Sequence, residues 1–485
     1  MVMRHHRTPR SWTQGKNGCR GAVPPATDSA AQERRPRIGP DTPYGVCTER
    51  LSGFGGLLAL EKFLDLVGME DVFAERYVSP ERQAKLGCYR MMKGFLMMLF
   101  IGFQRVGHVE HIRNDPMVCG SLKVAALPAA STFWRYLQSL GRDQSQSLLR
   151  LGAGLRARVW ALIGFQPKRV SINMDPTAST VYGDMEQSCR GYNPKHRGKK
   201  ALRPVLCFIE QTREYLLGEQ RRGKPLTEEE VAGWIGQFGD LLPSCVVEVL
   251  VRGDSEIIAW RSVKACILKD YDFIFASRRC TPPFPKQGWY QHGPYEYNEC
   301  LYQPQRWEQP CRFVAMRMPK EEKGDRLLPQ FEDESYVYRV FVTNLTLKPH
   351  HVVAEYDPRA SVENLIGEAQ REGIQAIPSR KFQANHAYFQ IVMLAYNLWR
   401  WIKLLAGHQQ QHSGRTPEPA SSPQPSIVDA TLRMARLKML YVAAKVVSHG
   451  NRDTVYYSIH EARAVGLIAF LTYLDRRRSQ RRPWP

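Results

Sequence analysis

Three acidic residues far apart in the chain stand where the character of the sequence changes. Asp175 follows the alternating segment Arg169–Met174, Asp254 follows the aliphatic run Val246–Val251, and Glu363 ends the stretch Tyr356-Asp357-Pro358-Arg359-Ala360-Ser361-Val362-Glu363. Carboxylate oxygens are the ligands that hard divalent cations take. A pair of such ions about 3.5–4 Å apart stabilises both the attacking and the leaving oxygen of an in-line displacement at phosphorus. A site of that kind must gather acidic side chains from distant sequence. Each aspartate taken alone is equally a strand-end cap or turn residue, and Arg359 with Glu363 is equally an exposed ion pair on a surface helix.

The elements around these residues follow from period and punctuation. Val170, Ile172 and Met174 alternate with polar residues, so 169–174 reads as a strand carrying Asp175 at its end. A basic loop, Arg190 to Lys200, contains Lys195, Arg197, Lys199 and Lys200. Strands at Leu202–Ile209 and Tyr215–Gln220 come next. Thr227 and Glu230 form a capping box for a helix whose apolar face is Val231, Trp234, Ile235, Phe238 and Leu242. The run Val246–Val251 is the composition of a strand covered on both faces, which puts Asp254 where open α/β sheets tend to place ligands. A helix around Trp260 and a strand at Phe273–Ala276 continue the alternation. Pro358 is suited to open a helix, and Val362, Leu365, Ile366 and Ala369 recur at i, i+3, i+4 and i+7. Glu363 is therefore helical, with Arg359 one turn before it and Gln370 further along the same side.

The chain divides, on this reading, into five parts. Residues 1–40 form a disordered basic arm, and 41–167 an all-helical N-terminal domain with a DNA-binding role open to it. Within the helical part, Ser131 or Thr132 is suited to cap a helix. A helix-turn-helix and a plain packing module both fit the segment, with Trp134, Leu137 and Leu140 resembling core. Residues 168–406 form the α/β part, interrupted at about 280–349 by a mostly β insertion with strands near Tyr295–Tyr302, Arg312–Met318 and Tyr336–Thr343. A long apolar helix spans Tyr388–Leu405. Residues 407–428 read as a linker and 429–485 as C-terminal helices, one over Thr431–Val447, with a basic tail.

Composition narrows the partner. Against 47 Asp and Glu stand 68 Lys and Arg, a net charge of +21 in 485 residues. An excess of that size favours a polyanion, because each phosphate neutralised releases condensed counterions. The longest apolar run, Phe95 to Phe103, is too short to span a bilayer, and Phe389–Ala406 is broken by Gln390, Asn397, Arg400 and Lys403. No signal peptide is expected, since no apolar segment follows the basic first residues. Eleven unclustered cysteines support neither a zinc site nor a disulfide framework.

The spacing Tyr-x2-Arg-x3-Glu at Tyr356, Arg359 and Glu363 resembles the signature of DDE insertion-sequence transposases, in the branch called DDE group 1. Met-Asp-Pro-Thr at Asp175, Gly-Tyr-Asn-Pro at Gly191, Val-Arg-Gly-Asp-Ser at Asp254 and the segment Arg436–Lys445 carry the likeness across most of the chain. The resemblance implies an RNase H-like catalytic domain in which Asp175, Asp254 and Glu363 hold two Mg2+ ions, or Mn2+ in their place. It implies that Tyr356 reaches DNA near the reacting phosphate and that Arg359 clamps phosphate oxygens. It further implies cleavage and transfer of strands at the ends of an insertion sequence, acting on double-stranded transposon-end and target DNA. A homodimer on DNA, a cytoplasmic, nucleoid-associated location and no membrane complete the expectation. Trp289 and Trp307 have two roles open to them, stacking on an unpaired base and forming the insertion's own core. Two departures stand out: Gln370 replaces the lysine usual seven residues after the glutamate, and Asn173 stands where relatives often have an acid. They support a second reading, a decayed or domesticated transposase-derived protein that binds DNA without cutting it.

Overall fold

The computed structural model describes residues 38–81, 84–191, 193, 196–278, 282–319, 335–412, 426–450, 452–481 and 484. The arm at 1–37, Lys195, and 413–425 of the expected linker lie outside the described residues. The chain divides between Thr48 and Glu49 into two units. Of the first, residues 38–48 are exposed and hold neither helix nor strand.

In the second unit a short strand β1 (Leu51–Ser52) precedes six helices, α1 (Leu57–Leu66), α2 (Met69–Arg76), α3 (Cys88–Ile101), α4 (Pro116–Leu122), α5 (Ala130–Gln138) and α6 (Arg142–Leu162). Asp115 caps α4, its carboxylate accepting from the Met117 and Val118 amides, with Pro116 at the first helical position. The expected cap at Ser131 or Thr132 is corrected: both lie inside α5, which starts at Ala130 with Ala129 in the cap position. Leu137 and Leu140 are buried as expected, but Trp134 is 45% exposed.

The strands β2 (Arg169–Pro176), β6 (Val205–Ile209), β7 (Glu214–Glu219), β8 (Glu248–Gly253) and β9 (Asp272–Ser277) are joined by the insertion's β10 (Tyr290–His292), β11 (Tyr295–Tyr302), β12 (Cys311–Pro319) and β13 (Tyr336–Thr343). Together they make one nine-stranded sheet in the order β10-β11-β12-β13-β9-β8-β2-β6-β7. β2, β6 and β7 run antiparallel in sequence, while β8 and β9 add parallel on the other side of β2. Helices α7 (Glu228–Leu241) and α8 (Trp260–Leu268) lead into β8 and β9 and share a core with Ile172, Met174, Val249, Val251 and Phe273 on one face. The capping box holds: the Thr227 hydroxyl accepts from the Glu230 amide at 3.3 Å and the Glu230 carboxylate from the Thr227 amide at 3.0 Å. Between β2 and β6 the expected loop becomes a small sheet of β3 (Ser179–Thr180), β4 (Cys189–Arg190) and β5 (Lys200–Leu202).

The other face is covered by α9 (Pro349–Tyr356), α10 (Ser361–Ala369) and the long α11 (Phe382–His412). The polar residues that break up α11 have a place. Asn397 accepts from the Tyr215 amide at 2.9 Å and donates to the Tyr215 carbonyl at 2.7 Å, and Gln390 donates to the Gly218 carbonyl at 2.7 Å. They satisfy backbone groups of the outermost strand β7, which would otherwise be a bare edge.

The all-helical expectation for the C-terminal part is corrected. The helix predicted over 431–447 is the short α12 (Leu432–Ala435) with a π-turn to Leu440. The chain then turns into β14 (Ala444–His449) and β15 (Arg452–Tyr457), and β14 also pairs with β1. Non-local strand pairing outweighs local helix preference there. α13 (Ala462–Ser479) follows.

One ion pair fastens α6 to the sheet. Arg156 and Glu214 are fully buried, with Nε donating to the carboxylate at 2.8 Å, the two terminal nitrogens donating to the Leu241 and Tyr215 carbonyls at 2.8 Å, and Trp160 donating to Glu214 at 2.7 Å. Glu214→Leu strands a buried guanidinium. The expected loss is about 3–5 kcal/mol, read from urea unfolding midpoints, whereas an exposed pair such as Lys445–Glu49 should change little when broken.

Candidate active site

β2 and β8 pair in parallel with Met174 opposite Gly253, so the next residues, Asp175 and Asp254, leave neighbouring strand ends side by side. Gly253 allows the sharp exit: a Cβ there would come within 2.8 Å of the Ile257 side chain. The Asp254 carboxylate then accepts from the Glu256 amide at 2.9 Å. Burial pushes the Asp175 carboxyl up to about 7, the nearby Arg359 pulls it back, and the charges of Asp254 and Glu363 push it up again. Asp254 is raised for the same first reason, against the pull of Arg359. Burial, more than the charges around them, is thus what disfavours the ionised carboxylates at these strand ends.

Arg359 lies on a 3-10 turn between α9 and α10 and is buried, with its guanidinium bonded to the Asp175 carboxylate. Tyr356 is also buried. Its hydroxyl donates to the Gly253 carbonyl at 3.3 Å, and the Arg359 guanidinium lies 5.8 Å from its ring centre. Both side chains that the resemblance aims at DNA therefore turn inward, onto the strand ends. Gln370 donates to the Thr177 hydroxyl at 2.9 Å. Glu363 is exposed on the first turn of α10.

A polar layer beneath the carboxylates was not read from the sequence. Arg252, buried on β8, donates through Nε to Asn173 at 2.9 Å and through a terminal nitrogen to the Glu355 carbonyl at 2.5 Å, and pairs with Glu210. Asn173 in turn donates to Glu210 at 3.1 Å. The amide at position 173 is thus committed to this layer. An arginine interrupting the aliphatic run before Gly253 was the available signal. Behind the Glu363 helix, Glu368 pairs with Arg400 and accepts from the Leu432 amide at 2.7 Å, while Glu372 pairs with Arg436, whose Nε donates to the Phe100 carbonyl at 2.9 Å. α10 is held by buried charges from α11 and from the segment after α12.

Of the basic residues predicted at the surface, Arg197 and Lys199 are exposed in the turn that leads into β5, and Lys200 bonds Asp184 at 3.0 Å. Trp289 packs under Arg317, 4.1 Å from its ring centre, and against Tyr338, while Trp307 packs on Trp260 and Phe313. The core role describes both.

Among the described residues no three His, Cys, Asp or Glu side chains stand close enough together to hold a metal ion. Asp175 and Asp254 nevertheless fit a hard cation in kind, as oxygen donors whose charge is held unfavourably. The raised carboxyls have a consequence for the metal-free protein. Protonated Asp175 is favoured in the fold, so its contribution to stability is full below about pH 4 and is lost as pH rises to about 7. The loss is on the order of 4 kcal/mol. Melting temperatures in chelator should fall across that window more for wild type than for Asp175→Asn.

The sequence matches the family described as Transposase DDE domain group 1 over residues 47–479, and the chain belongs to that family. No curated protein matches it. Among solved structures, one similar to it is the piggyBac transposase in a synaptic complex with hairpin DNA. That likeness has 9% identity and a TM-score of 0.38, covering 79% of this chain and 89% of that one. Among the described residues no helix is long and apolar enough to cross a membrane.

Proposed function

We propose that the protein is a cut-and-paste DNA transposase that binds the ends of an insertion sequence and hydrolyses and transfers phosphodiester strands. The observation that carries this is the pair Asp175 and Asp254 on neighbouring parallel strand ends, with Glu363 near enough to add to the charge on Asp175. These three would hold two Mg2+ ions, or Mn2+ in their place. When bound, the ions supply charge stabilisation to the attacking and leaving oxygens. An RNase H-like reading is supported by three antiparallel strands followed by two parallel ones that return beside the first. Residues 168–406 are then the catalytic domain and the preceding helices a DNA-binding part.

The chain's own groups have distinct tasks in this reading. Arg359 keeps Asp175 oriented by pairing with its carboxylate, a planar contact that a lysine cannot reproduce. Tyr356 fixes the Gly253 carbonyl and so the exit of Asp254. Arg252, Asn173 and Glu210 hold the strand ends in register. Arg197, Lys199 and Lys200, with Lys195, would meet backbone phosphates, and DNA would bind to a homodimer in the nucleoid.

Gln370 favours the second reading, binding without cleavage, since its amide spends a hydrogen bond on Thr177 and brings no charge. One assay separates the two. A supercoiled plasmid carrying the element's ends is incubated with the full-length protein in Mg2+, Mn2+ or chelator. Nicking that needs the cation supports the transposase, binding without nicking supports the second reading, and neither binding nor nicking sinks both.

A further inference from the structure

The parallel ladder between β2 and β8 ends at Met174 and Gly253, so Asp175 and Asp254 stand one residue beyond the last pair. Three other contacts hold the chain past that point. The Thr177 amide, just after Asp175, donates to the Pro204 carbonyl at 2.8 Å. The Asp254 carboxylate accepts from the Glu256 amide, and the Glu256 carboxylate pairs with the Arg203 guanidinium. Arg203 and Pro204 are neighbours in the link between β5 and β6, so one dipeptide is tied to the turn after each aspartate. Because β2 lies between β6 and β8 in the sheet, the Arg203 side chain spans the end of β2 to reach Glu256. Arg203 is buried, and its own amide donates to the Arg221 carbonyl at 3.1 Å. Arg221 is buried in turn, pairing with Glu230 and donating to the Lys224 and Pro225 carbonyls at 3.4 and 3.2 Å. The brace therefore starts from a fixed point.

Oxygen ligands that come from two separate strands serve the same cations only if their spacing is fixed, and a site left loose by about an ångström loses its hold. A carboxylate and a guanidinium suit that task, since the pair meets at a set distance and in a set orientation. We infer that Arg203 and Glu256 are positioning residues of the cation site, bracing the turn after Asp254 against the turn after Asp175 so that the two aspartates keep the separation a shared cation needs. The inference rests on the transposase reading above and adds to it two residues that act through the aspartates rather than on DNA.

The test uses the full-length protein and two measurements: Mn2+ binding, followed by the electron spin resonance of the free ion, and the Mg2+ concentration that gives half the maximal nicking rate. The Mn2+ binding that Asp175→Asn loses defines the site. Arg203→Gln should raise both cation concentrations by about tenfold, as loss of a partner behind a metal ligand does, and leave the nicking rate at saturating Mg2+ within about threefold. The double variant Arg203→Gln/Glu256→Gln leaves neither charge without its partner, and it should match Arg203→Gln rather than add to it, because one contact is lost in both. Arg203→Lys should fall between Arg203→Gln and wild type. A pair that served only the fold would lower the melting temperature and leave both cation concentrations where they are. That result, or a double variant that binds Mn2+ as tightly as wild type does, overturns the brace while the transposase reading stands. If wild type shows no Mn2+ binding that Asp175→Asn loses, that reading falls and the brace falls with it.

Discussion

Asp175→Asn, Asp254→Asn and Glu363→Gln should each lower cation-dependent nicking by about a thousandfold, with DNA binding kept within a few-fold. The magnitude follows from the several kcal/mol of charge stabilisation that a correctly held cation supplies to a phosphoryl displacement, at 1.36 kcal/mol for each factor of ten. The amide replacements keep side-chain shape. Asn at 175 can still accept from Arg359, so the ion pair is weakened without emptying the space, and Gln at 363 changes an exposed position. Asp175→Asn also removes the carboxyl that burial holds near 7, so the variant should be at least as stable as wild type at neutral pH. Loss of activity in a protein of unchanged melting temperature thus separates chemistry from folding. A variant that nicks at the wild-type rate would remove its residue from the site. Should only Glu363→Gln do so, the donor set is the strand-end pair alone.

DNA affinity should fall steeply with salt. With a net charge of +21 and exposed cations on the small sheet and along α13, several phosphates are neutralised on binding, and each releases counterions. A protein making 6–10 such contacts loses roughly 10³–10⁵ in affinity between 50 and 200 mM salt. The slope of log affinity against log salt, measured by anisotropy on duplex, counts those contacts. Charge-removing substitutions at Arg197 and Lys199 should each reduce it by about one, without altering the nicking rate at saturation. A flat response would mean that the positive excess faces another partner.

The parts of this protein that are legible in the sequence are those set by near neighbours. Period-two alternation found β2, β11 and β13, and the Thr227 capping box found α7, because strands and caps are decided by residues two or three positions apart. The positions of Asp175 and Asp254 at strand ends and of Glu363 on a helix were readable for the same reason. At 444–449 an apolar alternation lay hidden under good helix formers, and pairing with β15 on one side and with Leu51–Ser52, nearly 400 residues away, on the other made it a strand.

Partnership is what the sequence could not assign. Arg359 was expected to point at phosphate, and it instead pairs with a carboxylate 184 positions earlier; Asn173 resembled a missing acid, and it is a fixed member of a layer with Arg252 and Glu210. Trp134 resembled core, and its open face emerged only once α5 was packed by Phe133, Tyr136 and Leu137 with the indole left outside. By itself, then, the sequence determined which residues carry charge and on which element each stands, since propensity and period act locally. Only the tertiary structure decided which charges meet, because a buried guanidinium takes whichever carboxylate or carbonyl the packing brings within hydrogen-bond reach, and that choice is made across the sheet rather than along the chain.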